Sequence, residues 1–509
     1  MLTRKIDRIF DEFYDLNARE ALLVDGARQV GKTFSIREFG KRHFKTVVEI
    51  NFIKTKGAKN LFEGIESVQQ LLVKISALTD VDLEPGNTLI FFDEVQECPE
   101  IVTFIKFLVD EGSYRYVLSG SLLGVELKDL RSAPVGYLRE VRMYPLDFEE
   151  FIRAVGVSST VLDHVRDRLT SFLPVDPVVH EKMKGLFNLY LVVGGMPAAV
   201  DVYLRTNNIA RVVTIQKGIL DEYRKDASKY DQKNKLKIVK ALEIVPEELN
   251  RRNKRFIVAD LKQGSRYDRE ADTFLWLEEA GISLSVRAVT EPKVPLRLAR
   301  RSNFFKLFLN DVGLLSALYM DGIQYRILSG ETDVNFGAVY ENFVAQELAS
   351  KGFPLYYFNS EDRPAEVDFM IEKDGMCLPV EVKSGKNYKT HASLDDLLAV
   401  SDYGVARALV ISNANVSTSS DGRIRYLPSY YLMFLEHDGL PAETRFAPPI
   451  PNESDIIFPP SPCRDTTAAA QSPPDAPRYK LWLMFRETRV NIGSNRSFQK
   501  MKWQSRVIP

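Results

Sequence analysis

Apolar residues occur in short runs over the first 150 positions, and amphipathic stretches separate the runs. The runs have the length and composition of β-strands at 21–24, 46–52, 88–94 (which ends in two acids), 114–118 and 139–143. Stretches with apolar residues at helical spacing lie at 4–16, 66–78 and 99–110. Strands that alternate with helices predict an α/β fold, a parallel sheet with helices on both faces. Ligands of such sheets bind at the carboxyl ends of the strands.

The pattern is largely helical from Phe148 to about Lys240. Within it, the segment 193–197 (Val-Gly-Gly-Met-Pro) predicts a turn between two helices. Further along, helices are predicted at 234–246, 257–263 and 267–281, and extended pieces at 283–289 and 295–300. Three helices followed by a hairpin are typical of a winged helix-turn-helix.

A third module is predicted after a strand at 304–309 and a short helix at 312–319. It has the order α-β-β-β-α-β, with elements at 337–350, 355–358, 366–371, 378–383, 391–400 and 408–411. The step Asp374-Gly375 between its second and third strands is a strong hairpin signal. From about Pro441 onward, clustered prolines, alanines and serines are typical of a disordered tail.

A phosphate-binding motif stands between the first strand and the helix that follows it. The stretch is Gly26-Ala27-Arg28-Gln29-Val30-Gly31-Lys32-Thr33, which reads G-x-x-x-x-G-K-T. In this context the backbone N–H groups of the loop surround the phosphates of a nucleotide. We expect Lys32 to reach the β- and γ-phosphates of ATP and Thr33 to offer its hydroxyl to Mg²⁺. A chance match in a turn is the alternative, which the flanking strand and helix disfavour.

Polar residues end two further predicted strands at the same edge of the sheet. Asp93 is expected to hold Mg²⁺, directly or through water, and Glu94 to polarise the attacking water. Capping of the next helix is the alternative role for Glu94. Ser119 and Ser121 end the neighbouring strand, where Ser121 could sense the γ-phosphate, although serines also serve as ordinary helix caps.

Three arginines are candidates for contact with phosphate. Arg28 lies inside the loop and could touch phosphate or a neighbouring chain. Arg139 and Arg142 lie on the last predicted strand and could act as fingers within the chain or toward another copy. The sequence does not select among the three.

Acidic and basic residues meet on the predicted hairpin of the third module. Asp368 lies on one strand, while Glu381 and Lys383 lie two residues apart on the next and share a face. An Asp with Glu-x-Lys on adjacent strands is the arrangement of metal nucleases, whose acids hold Mg²⁺ while the lysine assists catalysis. Candidates to complete the acid set are Glu341, Glu347 and Glu366. A scaffold that binds nucleic acid or protein without cutting is the alternative.

Basic residues are dense beside the predicted winged helix, at Arg251, Arg252, Lys254, Arg255, Lys262, Arg266 and Arg269. The helix at 267–281 could enter a DNA groove. The same helix carries acids that would repel phosphates, at Asp268, Glu270, Asp272, Glu278 and Glu279. DNA binding and protein packing therefore both stay open for this segment.

Overall composition limits the partners and the compartment. The 509 residues carry a formal net charge of −1, so attraction to nucleic acid would need a local patch. Three cysteines without metal spacing, Cys98, Cys377 and Cys463, indicate a reducing compartment. The chain shows no apolar run of the roughly 18 residues of a membrane helix, and its start lacks the apolar core of a signal peptide. We therefore expect a cytoplasmic protein with no membrane partner.

Several stretches together resemble one family, the prokaryotic AAA-type ATPases with a C-terminal nuclease-like domain of unknown function. The similar stretches are 26–33, 91–96, 119–121, 134–137, 144–151, 194–197, 223–226, 310–315, 340–348 and 379–385. The resemblance covers about residues 1–436. It implies a P-loop AAA-type ATPase domain (1–155), a helical connector (156–232), a winged-helix-like domain (233–303) and a restriction-endonuclease-like αβββαβ domain (304–436), followed by the tail (437–509).

The function expected from these residues is ATP binding with Mg²⁺-dependent hydrolysis, coupled to a nucleic-acid-facing, nuclease-like module. The alternative is a DNA-binding or scaffold switch in which ATP occupancy sets the conformation and no strand is cut. DNA and a second copy of the chain are candidate partners, because AAA-type relatives often assemble as rings.

Overall fold

The computed structural model describes residues 2–16, 19–121, 123, 136–230, 234–251, 254–261, 266–319, 322–331, 336–360 and 365–439. The predicted tail lies outside these ranges from residue 440 onward, and so do Arg252 and Lys262 of the basic segment.

Among the described residues, the first five strands form a parallel sheet with the order β2-β3-β4-β1-β5. They are β1 (Ala21–Asp25), β2 (Thr46–Asn51), β3 (Thr88–Asp93), β4 (Arg115–Ser119) and β5 (Leu138–Arg142). The helices beside them are α1 (Ile6–Asp15), α2 (Lys32–His43), α3 (Val68–Thr79) and α4 (Glu100–Glu111). Alternate residues of β3 enter different apolar clusters, Phe91 on one face and Phe92 on the other. The predicted parallel α/β sheet, covered on both faces, is confirmed.

Helices follow the sheet, in agreement with the sequence pattern. They are α5 (Phe148–Ala154), α6 (Ser159–Thr170), α7 (Pro177–Val193), α8 (Pro197–Thr206), α9 (Ile209–Tyr230), α10 (Lys235–Leu249) and α11 (Tyr267–Glu279). A reciprocal capping box between Asp147 and Glu150 starts α5. The turn between α7 and α8 needs glycine, because a Cβ at Gly195 would lie 1.9 Å from the Leu146 carbonyl oxygen.

One predicted helix is wrong. The segment expected to be helical at 257–263 contains a 3₁₀ turn at Val258–Asp260. The N–H of Phe256 donates to the Phe305 carbonyl at 2.9 Å, which ties the chain before this turn to a strand. This hydrogen bond fixes the chain at Phe256, so the described residues that follow it are too few for a full helix.

A second, mixed sheet has the order β12-β13-β11-β10-β9-β8-β6-β7 among the described residues. Its strands are β6 (Ser283–Val289), β7 (Arg300–Leu309), β8 (Tyr356–Asn359), β9 (Glu366–Lys373), β10 (Met376–Val382), β11 (Ala408–Ser412), β12 (Ser417–Thr418) and β13 (Ile424–Pro428). The accompanying helices are α12 (Val312–Leu318), α13 (Ile323–Leu328), α14 (Gly337–Ser350) and α15 (Ala392–Ala399). The order α14-β8-β9-β10-α15-β11 reproduces the predicted α-β-β-β-α-β series.

The predicted wing of 283–289 and 295–300 is wrong: the first piece is β6 of this second sheet, and the second contains a 3₁₀ turn at Leu296–Ala299. Strands β6 and β7 pair antiparallel, as a wing would, but β6 also pairs in parallel with β8. The boundary expected between 303 and 304 falls inside β7. The apolar run that ends β7 is buried, and its pairing with β6 makes the hairpin one edge of the C-terminal sheet.

The helical connector and the C-terminal sheet share one apolar core. Helix α14 is buried on nearly every side and packs between α7 and the sheet. Phe187 of α7 and Phe343 of α14 meet edge to face, with ring centroids 4.8 Å apart. In the described part of the chain, every helix is too short or too polar to cross a membrane.

Candidate functional site

The loop between β1 and α2 has the backbone shape of a phosphate cradle. Gly26, Gln29 and Gly31 have φ angles of 145°, 67° and 101°, conformations that glycine adopts without strain. A Cβ at Gly26 would lie 2.2 Å from the carbonyl oxygen of Met143. Loops of this shape before a helix can turn successive N–H groups toward one anion, and this one leads directly into α2.

Lys32 lies buried beneath this loop. Its Nζ donates to the carbonyl oxygens of Gly26 at 2.8 Å and Ala27 at 2.9 Å. Burial lowers the pKa of Lys32 to about 8, although Asp25, Glu94 and Asp93 act in the opposite direction. Its ammonium is held in the loop by two neutral acceptors.

Three strands place polar side chains in one row at the carboxyl edge of the sheet. Asn51 of β2 pairs in register with Asp93 of β3, which pairs with Ser119 of β4. The Ser119 hydroxyl donates to Oδ1 of Asp93 at 2.5 Å, and Nδ2 of Asn51 donates to Oδ2 at 2.9 Å. The Thr33 hydroxyl lies 3.2 Å from the same Oδ2. These hard oxygen donors fit Mg²⁺, with Thr33 and Asp93 as the predicted ligands.

Glu94 follows the row in a left-handed backbone conformation, with φ of 58°. One carboxylate oxygen accepts a hydrogen bond from Nε2 of Gln96 at 2.6 Å. The Ser121 hydroxyl, two residues after the end of β4, is buried and has no hydrogen-bond partner among the described residues. Glu94 makes no side-chain capping bond to the short 3₁₀ turn that follows it, so its carboxylate is held by Gln96 instead.

Helix α9 closes over the loop, which the sequence did not reveal. Asp226 of α9 forms an ion pair with Arg28 at 2.7 Å, and Glu222 accepts from Gln29 at 2.5 Å. The Tyr223 hydroxyl donates to the Arg28 carbonyl oxygen at 3.4 Å. Burial raises the pKa of Asp226 to about 6 despite Arg28. Acids one helical turn apart therefore hold two loop residues.

The other two arginine candidates also contact groups of this chain. Arg139 lies 3.2 Å from a carboxylate oxygen of Glu20, and Arg142 lies 3.7 Å from one of Asp25. Arg142 also donates to the carbonyl oxygen of Glu278 near the end of α11 at 2.7 Å. The loop is close to this point, because a Cβ at Gly281 would lie 2.8 Å from the Ala27 nitrogen.

The C-terminal sheet brings Asp368, Glu381 and Lys383 into one charged cluster, together with residues that sequence reasoning missed. Lys383 pairs with Oε1 of Glu381 at 2.8 Å, and the Val382 N–H donates to Asp368 at 2.9 Å. Burial, with help from Asp368, raises the pKa of Glu381 to about 7. Within the described ranges, no three acidic, histidine or cysteine side chains are arranged to hold a metal ion.

Two further lysines complete this cluster, one from β7 and one from the chain after α10. Lys306 of β7 is completely buried, with Nζ 2.7 Å from Glu366 and 3.7 Å from Asp368. Lys254, from the chain after α10, pairs with Glu341 of α14. A charged residue inside the apolar run of β7 was the available signal for Lys306.

Glu347, one of the candidate acids, lies in a different place. Its Oε1 accepts from the N–H of Phe148 at 2.7 Å, and its Oε2 pairs with Lys351 at 2.7 Å. It therefore stabilises the start of α5. Glu341 and Glu366 are the candidate acids that join the cluster.

Among the described residues of the basic segment, Arg251 and Lys254 are ion-paired and Arg255 is stacked, while Arg266 and Arg269 are exposed. Arg251 pairs with Glu248 and Asp260, and the Arg255 guanidinium lies 3.6 Å from the centre of the Phe304 ring. The exposed side chains of α11 are of mixed character, at Asp268, Arg269, Asp272 and Leu275. This face lacks the positive surface that phosphate contacts need.

Three segments of the chain match protein families. Residues 18–152 match a family described as an AAA domain, 184–325 match a domain of unknown function (DUF8612), and 336–432 match another (DUF4143). The parallel-sheet region is therefore an AAA-type P-loop domain. No curated protein matches this chain.

Solved structures that are similar to part of this chain include the Walker-type ATPase PABY2304 of Pyrococcus abyssi. It is 15% identical, with 63% of this chain and 96% of that chain covered and a TM-score of 0.38. The Aeropyrum pernix ORC1 protein in complex with DNA is 15% identical, with coverage of 64% and 94% and a TM-score of 0.27. PCH-2 of C. elegans is 16% identical, with coverage of 40% and 60% and a TM-score of 0.24. Likenesses at these TM-scores carry no weight for the function of this chain.

Proposed function

We propose that this chain binds ATP in the loop at 26–33 and hydrolyses it in the presence of Mg²⁺. The observation that carries the proposal is the row of Asn51, Asp93 and Ser119, which meets the Thr33 hydroxyl beside Glu94. Phosphoryl transfer depends on positioning and on charge stabilisation more than on covalent help from the protein. The row supplies a positioned anion, and the loop supplies the cationic cradle.

Each residue then has a defined task. The loop N–H groups and Lys32 bind the β- and γ-phosphates, for which Nζ exchanges the Gly26 and Ala27 carbonyls for phosphate oxygens. Thr33 and Asp93 would hold Mg²⁺, which neutralises charge on the phosphates when it is bound. Glu94 orients a water and accepts its proton while the water oxygen bonds to the γ-phosphorus and the bond to ADP breaks.

The contacts of α9 support a link between the nucleotide site and the rest of the chain. Asp226 and Glu222 hold Arg28 and Gln29, which flank the position of the phosphates in the loop. Phosphate oxygens would compete with these acids for the same donors. We infer that nucleotide occupancy changes the hold of α9 on the loop, and that this change is what hydrolysis resets.

For the C-terminal module, the alternative without strand cleavage is favoured. Lys306 and Lys254 neutralise the acids that a metal nuclease would use. The exposed face of α11 carries two acids and one arginine, which disfavours insertion into a DNA groove. The function that we propose is therefore an ATPase whose C-terminal module serves as a nucleotide-controlled scaffold.

The test compares Lys32→Ala and Glu94→Gln with Lys41→Ala, an exposed lysine at the far end of α2. Nucleotide binding is measured by calorimetry and turnover by phosphate release, both with Mg²⁺. We expect Lys32→Ala to lose binding, Glu94→Gln to bind but turn over at least about 100-fold more slowly, and Lys41→Ala to match the wild type. Normal turnover in Lys32→Ala and Glu94→Gln would refute the proposal.

A further inference from the structure

Lys306 occupies the centre of the acid cluster in the C-terminal sheet. Its Nζ lies 2.7 Å from Glu366, 3.7 Å from Asp368 and 3.9 Å from Glu341. It also lies 4.9 Å from the centre of the Tyr357 ring, on the face where a cation is attracted. Several carboxylates around one buried positive charge form the environment that a divalent cation would otherwise need.

The geometry points to a cation site that the chain fills with its own lysine: the ammonium of Lys306 stands in the place of a metal ion. The C-terminal module therefore binds no Mg²⁺ at Asp368 and Glu381 and does not cleave nucleic acid by metal catalysis. The metal that the nuclease resemblance implies does not fit the residues present.

The charge balance of the cluster supports this inference. Four carboxylates, those of Glu341, Glu366, Asp368 and Glu381, face the three ammonium groups of Lys254, Lys306 and Lys383. A metal ion added to this set would meet fixed positive charges at close range in a buried, weakly screened place. Ammonium and metal ion compete for the same oxygens, and the ammonium is covalently attached.

Lys306 has no way to leave the site by a side-chain rotation. It lies on β7 between the buried residues Phe305 and Leu307, and its own side chain is completely buried. Withdrawal would require β7 to separate from β6, to which it is paired over most of its length. Lys254 differs, because its side chain is 22% exposed and it lies outside the helices and strands.

Two carboxylate oxygens of the cluster, like Nζ of Lys306 itself, make no hydrogen bond within the described residues. Oε2 of Glu341 and Oε2 of Glu381 are buried and have no hydrogen-bond partner within the described residues. Buried carboxylate oxygens are costly to leave unpaired. These oxygens would become metal ligands if the charge of Lys306 were removed. A variant without that charge should therefore bind a divalent cation that the wild type does not bind.

The first experiment replaces Lys306 with methionine, which has similar length and no charge. Thermal melts are recorded without nucleotide, with and without millimolar Mn²⁺. We expect Lys306→Met to melt below the wild type and to recover several degrees with Mn²⁺, whereas the wild type shows no such gain. The double variant Lys306→Met with Asp368→Asn should lose the Mn²⁺ response.

The second experiment needs no destabilised protein and counts Mn²⁺ ions bound to the wild type and to Asp368→Asn by electron paramagnetic resonance. The expected result is the same number in both, because the P-loop site is unchanged. Loss of one Mn²⁺ in Asp368→Asn would overturn the proposal, since it would place a metal where the lysine stands. A Lys306→Met variant that keeps wild-type stability without any Mn²⁺ response would also overturn it.

Discussion

Asn51 provides a quantitative test of the polar row, because its orientation is set by its neighbours. Its Oδ1 accepts from the N–H groups of Ile53 at 3.0 Å and Lys54 at 2.9 Å. The amide nitrogen must therefore face Asp93, to which it donates at 2.9 Å. The sequence shows only an asparagine at a strand end, but the register places it beside Asp93, the proposed Mg²⁺ ligand.

Removal of this donor should weaken catalysis by a definable amount. A hydrogen bond to a charged group contributes about 1.5–3 kcal/mol, and each 1.36 kcal/mol of barrier is a factor of about ten. We expect Asn51→Ala to lower kcat by about 10- to 150-fold, with little change in the affinity for ATP. The affinity is retained because the loop and Lys32 are not altered. The assay is steady-state phosphate release as a function of Mg²⁺ and ATP concentration.

Asn51→Asp separates two roles of this side chain. Aspartate keeps an acceptor for Ile53 and Lys54 but turns a second carboxylate toward Asp93, where like charges oppose each other. We expect this variant to be slower than Asn51→Ala at pH 7, while Asn87→Ala, at an exposed asparagine before β3, matches the wild type. If Asn51→Asp works normally, the side chain serves only the backbone turn and the argument for a Mg²⁺-positioning row is refuted.

Other measurements test other parts of the site and of the fold. The pKa of Lys32 is lowered to about 8 by burial, and only its charged form attracts phosphate. The affinity for ATP should therefore be constant below about pH 8 and fall by up to tenfold per pH unit above it. Adenosine, which has no phosphate, should show no such trend. An ATP affinity that does not depend on pH would contradict the role of Lys32 in phosphate binding. Gly26→Ala should abolish nucleotide binding, since its Cβ would collide with the Met143 carbonyl, and calorimetry showing wild-type affinity would contradict the loop geometry. Glu347→Ala should lower the free energy of unfolding by about 3–5 kcal/mol, because it removes the nearer of the two acids that pair with Lys351 and the acceptor of the Phe148 N–H. Denaturant melts measure the loss, and unchanged stability would show that the buried pair contributes nothing.

The nucleotide site was largely readable from the sequence. The spacing of glycines and lysine identifies the phosphate loop. Asp93 and Ser119 end parallel strands, and the carboxyl ends of such strands meet at one edge of the sheet, so their proximity follows from the sequence pattern alone. The same rule predicts the position of Asn51, because this residue ends β2. The alternating pattern at 46–52 identifies the strand but does not single out Asn51 as a site residue. The contact of Asp226 with the loop cannot be predicted from the sequence, since the approach of α9 to the loop depends on how the helices pack over the sheet.

For the C-terminal part, the sequence pattern predicts the order of helices and strands well and the boundary of the domain less well. Period-two spacing placed Glu381 and Lys383 on one face, and the antiparallel hairpin brought Asp368 beside them. The pattern predicts a wing made of 283–289 and 295–300, whereas 283–289 (β6) pairs with β7 and β8, because a local pattern does not tell which strand a free edge will meet. Lys306 lies in the strand predicted at 304–309, and its charge is explained only by the acids that it reaches across the sheet.

The most direct test of ATP hydrolysis identifies the nucleotide that stays on the protein. Wild type and Glu94→Gln are incubated with ATP and Mg²⁺, separated from free nucleotide, denatured and analysed by chromatography. The account predicts ADP on the wild type and unreacted ATP on Glu94→Gln. ATP of equal amount and unchanged on both proteins would contradict it.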